Sequence, residues 1–313
     1  MNLILGVAAF VASLLLLYVG SKKIVHAASE LAASLNFHKV VVGTVFVASV
    51  TSAPELLSSL IAVFFGSSQM ALGNIIGSNI YNIPLIIGIC GLIGEFKIKN
   101  CTINSECLFM MGVGALLMVL TVATGMVNWW IGLVFLALYL VFIYYSVRRG
   151  NGNGDSVDKP SESATRSAAV MLLGGVALIC GTFLLVYSAI AMAEFFGLNM
   201  FYVGLTIMAL GCVVPETAVS VAAALHGEQE ISVGNVIGDN IITMTLVFGI
   251  VGLIRSFVVS LSEILLTVPF MILITFILYV MSQRSHKITK AWSLLMLAIA
   301  AAAFAFETFN FIV

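Results

Sequence analysis

A chain of 313 residues that is 61% hydrophobic and only 9% charged cannot cover a water-facing surface, because ordinary soluble domains carry about a quarter charged residues. Its mean hydropathy of +1.17 leaves an integral membrane protein as the composition class that fits. The formal net charge of −1 says nothing about partners, no basic run suggests nucleic acid, and five cysteines without a CxxC pair suggest neither a disulfide framework nor a zinc site.

Ten membrane spans are predicted, near residues 3–22, 39–65, 69–93, 107–125, 129–147, 167–195, 200–226, 230–254, 261–281 and 290–310. The first has no basic residue ahead of it and is followed by Lys22 and Lys23, the reverse of a secretory signal, so it reads as a retained helix. The one clearly polar connection, rich in Gly, Asn, Ser and Asp, reads as a flexible cytoplasmic linker over 148–166. It separates a first half, 1–147, from a second, 167–313, with five spans each. With the N-terminus outside, the inward loops hold 12 of the 13 Lys and Arg residues and the outward loops only Arg255. Both termini are therefore expected outside a cell membrane.

The halves match each other. A shift of 161 residues aligns Gly43–Ile93 with Gly204–Ile254 without a gap, at 19 identities in 51 positions. Among them are Pro54/Pro215, Glu55/Glu216, Gly73/Gly234, Asn74/Asn235, Gly77/Gly238 and Asn79/Asn240. Membrane composition alone readily matches Leu with Ile, but not Pro, Glu and Asn in register. With an odd number of spans per half, homologous halves must lie upside down relative to each other. The expected fold is an all-α polytopic membrane protein of ten transmembrane helices in two inverted five-helix repeats, an architecture that places transport sites at broken helices near the midplane.

Pro54 and Pro215 are each expected to interrupt a helix, freeing carbonyls at 50–51 and 211–212. A carboxylate follows each at once, and no Lys or Arg lies inside a span to neutralise Glu55 or Glu216. A charge at membrane depth costs several kcal/mol unless it is paired, protonated or bound to a cation. Thr51, Ser52, Ser58 and Ser59 lie within a turn of Glu55. Ser78, Asn79 and Asn82 share a face of the next helix, where the second half has Asp239, Asn240 and Thr243. Carboxylates, amides and hydroxyls are ligands for hard cations such as Ca²⁺ and Na⁺; Cys212 is the exception in the set. The GNIIG and GNVIG glycines are expected to serve helix packing. Ser58, Ser59 and Ser220 are expected to bond to their own helices, and Glu30, Glu194 and Glu307, near span ends, to be solvated.

At these motifs the sequence resembles the calcium/cation antiporter superfamily, and most of all its compact archaeal and bacterial sodium/calcium exchangers. The likeness spans essentially the whole chain and rests on the paired S-x-PE and GN-x-IG-x-NI motifs. It implies alternating access, with spans one and six sliding past the rest, no cofactor, Ca²⁺ and Na⁺ (or H⁺) as transported ions, lipid as the surroundings, a monomer as the working unit, and no enzymatic activity. Carried over by position, it implies calcium ligands Glu55 and Glu216 with the carbonyls of Thr51 and Cys212, and sodium ligands Ala48, Thr51, Ser52, Ser78, Asn82, Ala209 and their counterparts. The chain departs from the family pattern GTSLPE with Gly211-Cys212-Val213-Val214-Pro215-Glu216, which loses two hydroxyls. It has Asp239 where Ser is usual and Thr243 where Asp is often found, so one carboxylate has moved by a turn. Two charged oxygens suffice for Ca²⁺, while a third carboxylate near Glu216 favours proton binding through like-charge repulsion. Exchange of Na⁺ for Ca²⁺ is the expected activity, with H⁺-coupled exchange as the alternative.

Overall fold

In hydrocarbon every backbone N–H and C=O must be satisfied within the chain, so apolar runs of about 20 residues become helices. The computed structural model describes residues 3–34, 48–94, 96–97, 100–150, 164–225, 229–285 and 287–309. In chain order the elements are α1 (Leu3–Ser34), α2 (Ala48–Thr51), α3 (Ala53–Phe64), α4 (Ser68–Ile93), β1 (Phe96–Lys97), α5 (Asn100–Thr124), β2 (Met126–Val127), α6 (Trp129–Gly150) and α7 (Ala164–Phe196). There follow α8 (Met200–Val203), a π-helical turn π1 (Gly204–Met208), α9 (Ala209–Leu225), α10 (Gln229–Ile242), a second π-helical turn π2 (Thr243–Val247), α11 (Phe248–Ile254), β3 (Phe257–Val258), α12 (Leu261–Ser285), β4 (Lys287–Ile288) and α13 (Lys290–Phe309).

Nine stretches among the described residues are long and apolar enough to cross a membrane, and the shorter apolar stretch Ala48–Phe64 accompanies them. The start of the second predicted span, 39–47, lies outside the described residues, as does most of the predicted linker, 151–163. Where the linker is described, helix replaces it: α6 runs on to Gly150 and α7 begins at Ala164. α1 also passes its predicted end at residue 22 and continues to Ser34, exposing Lys22 and Lys23.

Burial sorts the spans into centre and rim. Ser68–Ile93 and Ser232–Ile254 are 83% and 78% buried, against 22% for Trp129–Arg148, so α4 and α10–α11 form the middle and α6 faces lipid. α4 is buried on nearly every side, its polar Asn74, Ser78, Asn79 and Asn82 included, which puts it inside the bundle. α1 packs along α7, α5 along α12, α6 along α11, and α4 against α9, π1 and α13. Two short antiparallel ribbons tie the ends: β1 pairs with β4, and β2 with β3. β1 precedes α5 and β2 follows it, so the ribbons lie at opposite ends of the α5–α12 pair.

Close approach of backbones depends on glycine. A Cβ at Gly73 or Gly77 would run into the carbonyl oxygens of Phe201 and Leu205, so α4 lies directly on α8 and π1 at the GNIIG motif, the packing role its pattern predicts. Gly20 and Gly181, 161 residues apart, each let α1 and α7 approach closely: Gly20 sits against the backbone of Leu178 and Gly174, Gly181 against Leu16 and Leu17. Methyl groups at Gly73 and Gly112 therefore have opposite consequences, since space is open around Gly112. Gly73→Ala is expected to destabilise by about 1–3 kcal/mol through overpacking, read as a lower melting temperature of the purified protein, whereas Gly112→Ala leaves it unchanged; equal shifts would contradict the packing described.

Candidate functional site

The two Pro-Glu motifs sit in differently built helices. In the first half the chain breaks between α2 and α3 at Ser52, with Pro54 and Glu55 in the first turn of α3. Glu55 is thus the third residue of α3, where a negative charge meets the positive end of that helix's dipole. The second half differs from expectation. Pro215 lies inside a continuous α9, and the irregularity falls upstream, in π1. A proline still removes the N–H that would bond the residue four earlier, here Gly211, so the helix runs on with one carbonyl released. A further π turn begins at Thr243, and such turns are frequent at functional sites.

The helices around these motifs are fastened by two equivalent asparagines. α3 ends in a Schellman turn, with Gly66 at φ 85° and hydrogen bonds from Ser67 N to Ala62 O (2.8 Å) and from Gly66 N to Val63 O (3.0 Å). α4 then returns beside α3, and Asn74 Nδ2 donates to Ser58 Oγ and Ser59 Oγ at 3.0 Å each. In the second half Asn235 Nδ2 donates to Ser220 Oγ at 3.3 Å. Of the serines expected to bond to their own helices, Ser58 does so, to Glu55 O at 3.1 Å, while Ser59 and Ser220 receive these asparagines.

The fold brings Glu55, Glu216 and Asp239 together at the centre. One carboxylate oxygen from each lies within 4.8 Å of the others, and all three residues are buried. Both oxygens of Glu55 and both of Glu216 lack hydrogen-bond donors among the described residues. Asp239 is held: Ser52 Oγ donates to its Oδ1, and Asn82 Nδ2 to its Oδ2 at 2.6 Å. Asn82 Nδ2 also reaches Asn240 Oδ1 (3.1 Å), Asn240 Nδ2 donates to Asn79 O (3.2 Å), and the Asn82 side-chain oxygen has no partner among the described residues. Two carboxylates therefore offer bare oxygens while the third is positioned by residues of the opposite half. Uncompensated, three such groups side by side in a low dielectric repel strongly. The cluster can bind a multivalent cation, or several monovalent ones, through oxygens alone.

The other predicted ligands are distributed unevenly. Thr51, Ser52, Ser78, Ala48, Ala209, Cys212 and Thr243 are all buried. The Ala48 carbonyl already accepts from Ser52 N (2.9 Å), Ser52 Oγ (2.8 Å) and Thr51 Oγ1 (3.1 Å). Ser78 Oγ donates to Asn74 O in its own helix at 2.8 Å, and the Thr243 hydroxyl has no partner among the described residues. Thr51 Oγ1 meets Asn235 Oδ1 at 3.2 Å and so joins the two halves. Its counterpart Cys212 makes no such bond to Asn74; its sulfur instead lies 3.3 Å from Ser58 Oγ, and Asn74 Oδ1 is left without a partner. The exchange of hydroxyl for thiol thus breaks the symmetry at one defined contact.

One acidic residue corrects the sequence reading. Glu307 is not solvated: it is 2% exposed and accepts a hydrogen bond from Tyr81 Oη at 2.5 Å. A lone acid within the otherwise uncharged run 291–309 was the signal for it. Glu194 is exposed as expected, and the side chain of Glu30 lies outside the described residues.

Comparison with known proteins agrees with this geometry. The sequence profile of the family described as "Sodium/calcium exchanger protein" matches residues 5–148 and 166–309. The inner membrane protein YrbG of Escherichia coli (strain K12) is 31% identical over 80% of this chain and 81% of its own length. The sodium/calcium exchanger MaX1 of Methanosarcina acetivorans is 28% identical over 93% and 95% of the two chains. A solved structure of the sodium-calcium exchanger NCX_Mj superposes with a TM-score of 0.73 at 28% identity, covering 97% of this chain and 99% of the other. The bundle with its buried central carboxylates is that of a multi-pass membrane cation antiporter. The chain belongs to the sodium/calcium exchanger family.

Asn82 is the donor on which Asp239 and Asn240 both draw. Asn82→Ala is expected to cost about 1–3 kcal/mol by leaving buried acceptors unpaired, measured by thermal unfolding of the purified protein without added cations. An unchanged melting temperature would show that these contacts do not hold the site together.

Proposed function

We propose that this protein is a secondary active antiporter that exchanges Na⁺ for Ca²⁺ by alternating access at the Glu55–Glu216–Asp239 cluster. The observation that carries the reading is the meeting of three buried carboxylates within 4.8 Å, in the stretches 48–64, 200–225 and 229–254, which contain no Lys or Arg. A divalent cation balances two of the three charges, and the unpartnered oxygens of Glu55 and Glu216 are free to take it. Glu55 and Glu216 are the assigned calcium ligands, with Asp239 and the side-chain oxygen of Asn82 completing the oxygen set. The carbonyls of Thr51 and Cys212 stay with the calcium set, and the neutral oxygens of Thr51, Ser52, Ser78 and Thr243 with the Ala209 carbonyl are the candidate sodium ligands; the Ala48 carbonyl, engaged by Ser52 and Thr51, is left out. The likeness to NCX_Mj and MaX1, both sodium–calcium exchangers by name, supports the ion assignment.

The proposal includes two inverted repeats, 1–147 and 167–313, joined by a cytoplasmic linker at 148–166, with both termini outside the cell membrane and one chain as the working unit. Contacts between 161-residue counterparts, such as Gly20 with α7 and Gly181 with α1, are what two related halves produce.

A second reading has its own observation. Asp239 adds a third negative charge, and Cys212 and Val213 remove hydroxyls from the second half. That shift from neutral to charged oxygens favours H⁺ over Na⁺ as the exchanging ion. The two are separated by ⁴⁵Ca²⁺ uptake into proteoliposomes. An outward Na⁺ gradient is expected to drive uptake, and Glu55→Gln or Glu216→Gln to abolish it. Uptake driven only by a pH gradient would replace Na⁺ by H⁺, and uptake with neither would remove Ca²⁺ as the cargo. The exchange Asp239→Ser with Thr243→Asp returns the carboxylate to the family's usual place and is expected to raise apparent Na⁺ affinity severalfold; no change would refute the role given to Asp239.

A further inference from the structure

One buried acid of the last helix takes no part in the ion site. Glu307, near the C-terminal end of α13, is 2% exposed and accepts a hydrogen bond from Tyr81 Oη at 2.5 Å; Tyr81 is itself 1% exposed. An ionisable side chain inside a membrane span is costly to keep, marks a functional residue and calls for a partner. Here the partner stands on α4, one residue before Asn82, which donates to Asp239 and reaches Asn240. Successive side chains on a helix are turned by about 100°. A single turn of α4 therefore grips α13 with Tyr81 and the second half of the chain with Asn82.

α13 lies along α4 at more than this one contact. A Cβ at Gly91 would meet Ser293 Oγ, and one at Gly88 would meet Leu297, so the two helices run antiparallel and close as far as the level of Tyr81. Pro84 removes the N–H that would bond the Ile80 carbonyl, so the turn that carries Tyr81 and Asn82 lacks one of its own backbone bonds. The second half is built differently at the same place. The 161-residue shift puts Ile242 where Tyr81 stands and Ser146 where Glu307 stands, and neither side chain can rebuild the tyrosine–carboxylate pair. There π2, Thr243–Val247, occupies the positions equivalent to 82–86. With the pair, the helix stays α-helical across its proline; without it, the helix widens into a π turn.

We propose that the Tyr81–Glu307 bond is a tether that fixes the turn bearing Asn82, and that Glu307 is thereby a positioning residue for calcium binding, acting from a helix that supplies none of the ligands. The proposal rests on the assignment of Glu55, Glu216, Asp239 and the Asn82 oxygen as the calcium site. Asn82 has two tasks there: its Nδ2 holds Asp239, and its oxygen, without a partner among the described residues, is left for the ion. Rotation or widening of this one turn displaces both at once. Release of Tyr81 therefore loosens the ion rather than the bundle, because the close packing at Gly88 and Gly91 still joins α13 to α4.

The test is ⁴⁵Ca²⁺ uptake into proteoliposomes under whichever gradient, Na⁺ or pH, drives the wild type, with KM and maximal rate determined separately. Tyr81→Phe, which keeps the ring, and Glu307→Leu are each expected to raise the KM for Ca²⁺ about fivefold, the worth of one hydrogen bond. The double variant is expected to be no worse than either single one, since both remove the same contact. Glu307→Gln retains an oxygen that can accept from Tyr81 and is expected to restore most of the affinity lost in Glu307→Leu. If Glu307→Leu does not fold, Tyr81→Phe decides alone. A bond that serves stability only would lower the maximal rate and the melting temperature at unchanged KM, and that result overturns the proposal. A double variant whose KM rises by the product of the two single effects overturns it as well. Absence of wild-type Ca²⁺ uptake under either gradient removes the assigned cargo, and the tether's role in calcium binding with it; normal wild-type uptake with unchanged KM in the variants contradicts the tether alone.

Discussion

Three carboxylates that meet in the interior of a membrane protein, without a basic residue in the stretches that carry them, set the terms for the rest of this structure. Such an arrangement is tolerable only with compensating cations, protons or oriented dipoles. The protein provides partial compensation itself. Ser52 and Asn82 donate to Asp239, and Glu55 lies in the first turn of α3, at the positive end of that helix's dipole. It leaves the oxygens of Glu55 and Glu216 without donors. What the protein leaves unbalanced is what a transported cation can balance, and the binding energy thereby available is what an exchanger needs to make one ion compete with another.

Holding the carboxylates together requires backbones to approach closely at a few places. Glycines 73 and 77 let α4 lie on α8 and π1, and the Asn74 and Asn235 side chains fasten each pair of adjacent helices. The two halves are nonetheless not equivalent at the site. Thr51 bridges to Asn235, whereas Cys212 leaves Asn74 Oδ1 unpartnered; α2 and α3 are separate pieces, whereas α9 is continuous through Pro215. The α1–α7 pair touches the rest mainly through α3 and α9 while its two helices approach each other closely at Gly20 and Gly181. A pair of long helices packed chiefly on each other is suited to move as a unit, which is the motion that alternating access demands.

The spans were legible because hydrocarbon leaves few choices: a long apolar run becomes a helix whatever its neighbours are. The central residues were legible because Pro, Glu and Asn recur in register across 161 residues, and that spacing carries information that leucine cannot. Other features depend on contacts between distant segments and left no local trace. Pro54 and Pro215 are both followed at once by Glu, yet α9 runs unbroken through Pro215 and the irregularity falls upstream in π1. The Ala48 carbonyl is engaged by its own turn, a local competition that position matching cannot reveal. Glu307 looked like a span-end residue until Tyr81, 226 positions away, proved to be its donor.

The most direct measurement is equilibrium binding of Ca²⁺ to the purified protein, by titration calorimetry in Na⁺-free buffer. Saturable binding of one Ca²⁺ per chain is expected, weakened at least tenfold by either Glu55→Gln or Glu216→Gln and competed away by Na⁺ or by lowered pH. Ca²⁺ binding that survives both substitutions, or no saturable binding by the folded wild-type protein, is incompatible with a cation site built from these carboxylates.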